Sequence, residues 1–501
     1  MNRREFIVGA ASLASLSNLP VLAGSARPNL RVGILSDVHV LRGQSRSWDY
    51  FRRALAFLRE REVDAVLITG DLFTWGSYDE LKDFAALWYE FFPGDRLPNG
   101  SRVERLFLTG NHDVDGFAYN GAWKPKTLEE AKARGFYFNR EKFWREFFHE
   151  DYEPVFFKEV KGYKFILRNW VSILGREQSP TRPLIKGFKD EPSPLPAWFA
   201  AHDAELPRDR PFFYAQHEHP LGTCSSPYAL KFDECDDGLS TRILSNYPNA
   251  IAFSGHSHIS LLENRTVWQG AFTSIGCSST CGWEFTRRGY VNGHAGDDDA
   301  KPAKEMKPLD FEACHQGMIM EVFDDRLTLE RRDFAHDVRL GEDWVIPLGK
   351  GAPQPFAHAA QEQASAVPQF AADAKVSVRR LAEGVNRAGE RHPQIEVAFP
   401  TLNGLGSGVR AYDYEVVLEH ADGRREVARV YSPGALQPAA FDREPTFCRF
   451  AAGEEGRVRA RVTPLNEWGK RGREIIGEYT GPMKVKETIS RRKTDCPRVR
   501  G

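Results

Sequence analysis

The sequence predicts an α/β domain followed by an all-β sandwich, and three features carry that prediction. From Leu30 onward, short apolar runs alternate with segments whose apolar residues recur at helical spacing. Between Leu348 and residue 374 the composition shifts to Ala, Gln and Pro, as in a linker. Beyond it, short segments alternate apolar and polar residues between Gly, Asp and Pro turns, the pattern of a β-sandwich. The chain has 501 residues, too many for one ordinary core. The expected division is a leader at 1–26, an α/β domain at 30–347, a linker at 348–374, a sandwich at 375–485 and a basic tail at 486–501.

The leader, "MNRREFIVGAASLASLSNLPVLAGSA", joins Arg3 and Arg4 to an apolar stretch and then to small residues after which cleavage is expected, at Ala23 or Ala26. It resembles a twin-arginine signal, the bacterial route for folded proteins, and implies a periplasmic or other extracytoplasmic destination. The competing reading is an uncleaved anchor. Ser12, Ser15, Ser17, Asn18 and Pro20 interrupt the stretch, which falls short of the ~20 residues a span needs, so no stable span is expected after cleavage.

The α/β elements follow in order. "LRVGILS" is a nearly continuous apolar run, as a strand covered on both faces would be. Phe51, Ala54, Leu55 and Leu58 fall on one helical face. "VDAVLIT" is a second buried strand. Ser77 and Glu80 form a capping-box pattern opening a helix with Leu81, Phe84, Ala85 and Trp88 on one side. "VERLFLT" is the third strand. This βαβαβ order implies parallel strands, with ligands gathering beyond their carboxyl ends. After the linker, "IEVAFP", "YDYEVVLEH", "REVARVYS" and "GRVRARVTPL" read as sandwich strands, and "RVTPLNEWGKRG" resembles the last hairpin of fibronectin type III-like modules.

Composition excludes little beyond the extremes. A formal charge of −1 gives no reason to expect nucleic acid or an anionic membrane as the main partner. Any anionic substrate must be held by local charge. The seven cysteines are Cys224, Cys235, Cys277, Cys281, Cys314, Cys448 and Cys496, an odd number that leaves at least one unpaired within the chain. Cys277 and Cys281 have no second pair at zinc-ligand spacing, so thiols or a local disulfide are expected.

Five apolar strands end in the same chemistry. They run into Asp37 and His39 ("SDVHV"), Gly70–Asp71, Gly110–Asn111–His112–Asp113, His217 and His219 ("AQHEHP"), and His256 and His258 ("GHSH"). Alone, each motif reads as well as a turn or a cap. Together, Asp37, His39, Asp71, Asn111, His217, His256 and His258 supply oxygen and imidazole donors that suit Zn, Mn or Fe, too many for one tetrahedral ion. Two ions about 3.5–4 Å apart, sharing one carboxylate and one hydroxide, would use them all. Gly70, Gly110 and Gly255 suit a backbone that turns sharply and leaves room for ions and substrate.

This ordered series resembles the calcineurin-like metallophosphoesterases over about Leu30 to Phe334. The resemblance implies two mixed sheets packed face to face with helices outside, and an exported phosphoesterase in which metal-activated hydroxide attacks a small phosphate mono- or diester. It implies Asp37, His39 and His258 on one metal, Asn111, His217 and His256 on the other, and Asp71 between them. His112 would face the phosphate as a general acid, with Asp113 orienting its ring. In the fourth motif the strand favours His217 as the ligand, with His219 nearer the substrate or simply packed. "ILRNWVS" lacks the acidic residue expected after that strand.

Two long insertions, residues 175–196 and 286–315, are candidate substrate loops. Arg287, with Arg288, is a candidate contact for an anionic group, although a solvated surface pair explains it as well. His294 and His315 are expected to be solvated. The alternative function is a surface or glycan-binding protein in which the sandwich does the work and the metal domain is retained.

Overall fold

The computed structural model describes residues 27–43, 45–118, 127–135, 140–170, 193–224, 236–281, 315–385, 391–402, 409–432, 445–452 and 456–480. The leader, the basic tail, most of both insertions, Arg287, Arg288 and His294 lie outside the described residues. Among the described residues, no helix is long and apolar enough to cross a membrane.

The chain begins with β1 (Leu30–Leu35), α1 (Ser45–Glu60), β2 (Ala65–Thr69), α2 (Tyr78–Phe91) and β3 (Glu104–Leu108). The three strands pair in parallel, as the βαβαβ order predicts. Phe51, Ala54, Leu55 and Leu58 are fully buried along α1. They meet Val66, Ile68 and Phe107 on the outer face of the sheet. The Ser77 hydroxyl accepts from the Glu80 amide while the Glu80 carboxylate accepts from the Ser77 amide, which is the predicted capping box at the start of α2.

Next come α3 (Asn111–Asp115), α4 (Leu128–Ala133), α5 (Arg140–Phe148), β4 (Val155–Val160), β5 (Tyr163–Arg168), α6 (Leu195–His202), β6 (Phe212–Ala215), α7 (Leu239–Leu244), β7 (Ala250–Ser254), β8 (Val267–Gln269) and β9 (Thr273–Gly276). Their strands form a second sheet in the order β4-β5-β6-β7-β9-β8, parallel from β5 to β9. The chain then returns through β10 (Gln316–Val322), β11 (Arg326–Asp333), β12 (Val338–Arg339) and β13 (Trp344–Pro347) to complete the first sheet in the order β12-β11-β10-β1-β2-β3, with β13 on β11.

Both sheets are mixed, and their inner faces share one core. Val32, Leu67 and Leu106 face Phe165, Leu167 and Phe253 within it. Because alternate strand residues face opposite sides, Val66 and Ile68 point outward to the helices while Ala65 and Leu67 point inward. α1, α2 and α5 cover the first sheet and α6 and α7 the second. This is the expected two-sheet architecture.

The stretch read as a linker contains α8 (His358–Ala364), and Phe356 just before it is buried in the inter-sheet core. Seven strands follow: β14 (Ser377–Val385), β15 (Arg391–Phe399), β16 (Asp413–His420), β17 (Arg425–Tyr431), β18 (Thr446–Ala451), β19 (Arg457–Leu465) and β20 (Ile475–Thr480). They pair as β14-β15-β18 and β17-β16-β19-β20, and Val397, Phe450, Tyr414, Leu418 and Val462 close one core between the two sheets. Three of these strands, β14, β18 and β20, were not expected. All three are sheet edges, where one side of the strand is unpaired and the apolar signal is diluted.

Candidate metal centre

Each ligand candidate sits just beyond a strand: Asp37 and His39 after β1, Asp71 after β2, Asn111 after β3, His217 after β6, and His256 and His258 after β7. The backbone bends to put them there. Asp37, His39, Asp71, His256 and His258 all have φ between 48° and 68°, the left-handed region. For residues other than glycine this costs about 1–3 kcal/mol each and persists only where surrounding contacts over-determine it. Those contacts are present, since the Asp37 amide donates to Gly70 O and the His39 amide to Asp71 O, while Asp37 O accepts from the Cys281 amide. Gly110 and Gly255 supply room rather than turning freedom. A Cβ on Gly110 would overlap the Asp71 carboxylate, and one on Gly255 would overlap Ser36 and Asp37.

The seven side chains converge. His258 Nε2 lies 2.9 Å from Asp37 Oδ1 and 3.4 Å from His39 Nε2, while His39 Nε2 lies 3.5 Å from Asp71 Oδ2. On the other side, His217 Nε2 lies 2.9 Å from Asn111 Oδ1 and 3.3 Å from Asp71 Oδ2, and the His217 and His256 ring centres are 4.8 Å apart. Two sets of donor atoms, Asp37–His39–His258 and Asp71–His217–His256, each lie within 4.8 Å of one another. Asp71 also joins His39 and His112 in a third set, so its carboxylate lies between the two halves.

These donors fit metal ions. Thr69 O accepts from His217 Nδ1–H at 2.7 Å, so Nε2 faces the oxygens of Asn111 and Asp71 and takes either a proton or a metal ion there. The electrostatics agree. Burial alone would lower the pKa of His217, but Asp71 and Asp37 overcome it and hold the imidazole up at about 10. Burial would raise Asp37, yet His258 and His217 bring it down to about 2, and Asp71 is likewise held well below the carboxylate range, chiefly by His217 and His112. Burial and neighbouring histidines lower His39 and His256 to about 3. In this region a positive charge is favoured beside the carboxylates and disfavoured on more than one imidazole.

His112 stands at the opening, half-buried, its ring edge-on to His39 with centres 4.7 Å apart. Thr74 O accepts from Nδ1–H at 2.8 Å, and the His112 amide donates to Asp71 Oδ1 at 2.8 Å. A ring nitrogen of His112 also lies within 4.8 Å of the donor atoms of His39 and Asp71. Asp113 does not orient this ring as expected. Its fully buried carboxylate instead accepts from the amides of Gly110 at 2.7 Å and Phe73 at 3.0 Å, tying the β2 and β3 loops together. Burial and the nearby Asp71 push it well above the usual carboxylate range. Its carboxylate oxygens are thus engaged by backbone amides rather than by the His112 ring.

Three further expectations meet the structure in different ways. His219 is the packed residue of the two readings, since it is 1% exposed and both ring nitrogens are engaged, Nδ1 with Ser254 Oγ at 2.7 Å and Nε2 with Ser257 Oγ at 2.6 Å. His315 is not solvated but buried, stacked on Tyr50 at 3.4 Å and bonded to Thr280 O. Cys277 is a buried free thiol, and neither it nor Cys281 belongs to a metal-capable group among the described residues. The substrate contact proposed for Arg287 falls outside the described residues.

One residue at the site was missed. Trp170 packs edge-on to His217 and tilted to His256, with ring centres 5.9 and 6.1 Å away, and donates from Nε1 to Asp115 at 2.8 Å. Its signal was position: it follows β5, whose tip neighbours those of β6 and β7. Beside it, Asn169 fills the place where an acidic residue was expected and accepts from the Thr109 amide at 2.8 Å.

The family model described as calcineurin-like phosphoesterase matches residues 30–260, which include every one of these ligand candidates. That part of the chain is a calcineurin-like phosphoesterase domain. No curated protein sequence matches the chain. Among solved structures, the phosphoesterase domain aligns with a dimetal phosphatase from Danio rerio at 13% identity, covering 64% of this chain and 99% of that one with a TM-score of 0.36. A 5'-nucleotidase precursor from Thermus thermophilus aligns at 12% identity, covering 84% and 89% with a TM-score of 0.27.

Proposed function

We propose that the chain is an exported phosphoesterase that uses two metal ions to hydrolyse a small phosphate mono- or diester. The observation that carries this reading is the convergence of six donors into two sets with Asp71 between them, and of Asn111 Oδ1 2.9 Å from His217 Nε2 as the seventh. Asp37, His39 and His258 would hold one ion, Asn111, His217 and His256 the other, and Asp71 would serve both; N and O donors of this kind suit Mn, Fe or Zn. Such ions polarise phosphate oxygens and make water nucleophilic at neutral pH.

The chain's own residues supply the rest. His112, with Nδ1 fixed by Thr74 O and its ring edge-on to His39, stands beside the donor sets, where a protonated imidazole donates to the leaving oxygen. Gly110 and Gly255 leave the space that the Asp71 and Asp37 carboxylates occupy. Trp170 walls the side formed by His217 and His256.

The twin arginines Arg3 and Arg4 and the apolar stretch after them support export to the periplasm or beyond. The strand order β14-β15-β18 against β17-β16-β19-β20 supports a fibronectin type III-like sandwich. To test the activity, purified protein is assayed against generic phosphate monoesters and diesters with metal content measured on the same sample. Metal-dependent phosphate or alcohol release supports the reading, and metal-loaded protein inert toward every substrate contradicts it.

A further inference from the structure

The loop after β7 carries His256 and His258 and then runs to the seam with the sandwich. Its consecutive carbonyls at Leu261 and Leu262 are each taken by a guanidinium. Arg331 on β11 donates to Leu261 O at 2.7 Å, and Arg410, just ahead of β16 in the sandwich, donates to Leu262 O at 2.7 Å. Burial and the adjacent Arg410 lower Arg331 to about 10, so the two cations are close enough to disfavour one another. Each nevertheless has a carbonyl partner. A few residues further on, Arg265 is fully buried and ion-paired with Glu263. Its guanidinium lies over the rings of Tyr412 at 4.9 Å and Trp468 at 5.8 Å, both from the sandwich.

The same seam grips the segment between the domains. Lys470 Nζ donates to Ser365 O at 2.9 Å, Asn466 Nδ2 donates to Ala366 O at 2.9 Å, and His358 meets the Trp468 ring edge-on. The sandwich is therefore docked against the ligand loop rather than tethered by a free linker.

We propose that the C-terminal sandwich is a clamp on the loop bearing His256 and His258, acting through Arg410 on Leu262 O and through the packing of Tyr412 and Trp468 on Arg265. The strained φ values of His256 (68°) and His258 (49°) need outside contacts to persist, and the clamp closes four residues beyond His258. Arg410 is a positioning residue. The inference rests on reading His256 and His258 as ligands, and removing groups that orient ligands typically costs 10–100-fold in metal affinity.

The test uses the full chain as Arg410→Ala, Tyr412→Leu and Arg410→Lys, with Arg457→Ala on an exposed strand position as control. Two quantities are read: the rate of metal loss to excess EDTA, and amide hydrogen exchange in peptides spanning residues 256–266. Arg410→Ala and Tyr412→Leu should lose metal about tenfold faster and exchange faster in that loop, at an unchanged melting temperature. Arg410→Lys, which keeps a donor for Leu262 O, should recover most of the retention. Wild-type metal loss in both clamp variants, or faster loss with unchanged exchange in the loop, overturns the proposal. If His256→Ala holds as much metal as wild type, the site reading fails separately, and exchange alone then decides: faster in the clamp variants supports the clamp, unchanged overturns it.

Discussion

Asp71 is the residue on which both halves of the site depend, because its carboxylate lies 3.5 Å from His39 and 3.3 Å from His217 while accepting from the His112 amide. His112 contributes differently. His112→Ala should retain metal and lose about 10²–10⁴-fold in turnover, read from kcat alongside metal content; loss of metal as well would contradict the general-acid role. The raised pKa of His217 gives a pH prediction. In the metal-free chain its proton is held until pH rises toward about 10, and the stabilisation it brings, complete below its ordinary value of 6.5, fades through that window. Metal loading near neutral pH must expel the proton, so titration calorimetry in buffers of different ionisation enthalpy should show proton release and affinity rising with pH. No buffer dependence would contradict this. All seven ligand candidates were legible in the sequence because strand tips announce them. The contacts of Asp113 were not, because a carboxylate beside a candidate catalytic histidine reads the same whether it orients the ring or ties down two loop amides.

At the scale of elements, local rules decided the parallel β1, β2 and β3 of the first sheet. The Ser77–Glu80 box caps α2, so Ser77→Ala should lower unfolding free energy by about 0.5–2 kcal/mol, measured by denaturant titration, with the metal site intact. Arg105 on β3 and Lys158 on β4 both hold Glu150, at 2.8 and 2.9 Å, so that despite burial its pKa is lowered. The sign follows: this stabilisation is present above the ordinary carboxylate value of 4.5 and is lost as pH falls through the lower folded value. Glu150→Gln should therefore flatten the acid side of the stability profile, and an unchanged profile would contradict it. The central strands of both domains were visible as apolar runs. The edge strands β14, β18 and β20 were not, since Arg379, Arg449 and Glu478 break their apolar pattern while partners on neighbouring strands satisfy them.

For the whole molecule, the two-sheet core places the tips of β1, β2, β3, β6 and β7 at one end, so donors scattered from Asp37 to His258 meet in a single cluster. Composition alone divided the chain near residue 348, but it hid the docking. Phe356 and α8 are held by long-range contacts to Val267 and to the hairpin of Asn466 and Lys470, which no local pattern of Ala, Gln and Pro reveals. The most direct test of the central claim is metal stoichiometry, measured by inductively coupled plasma mass spectrometry on purified wild-type and Asp71→Ala protein. Two ions per wild-type chain, with both lost or greatly depleted in Asp71→Ala, is the expected result. Equal metal content in the two proteins would contradict it.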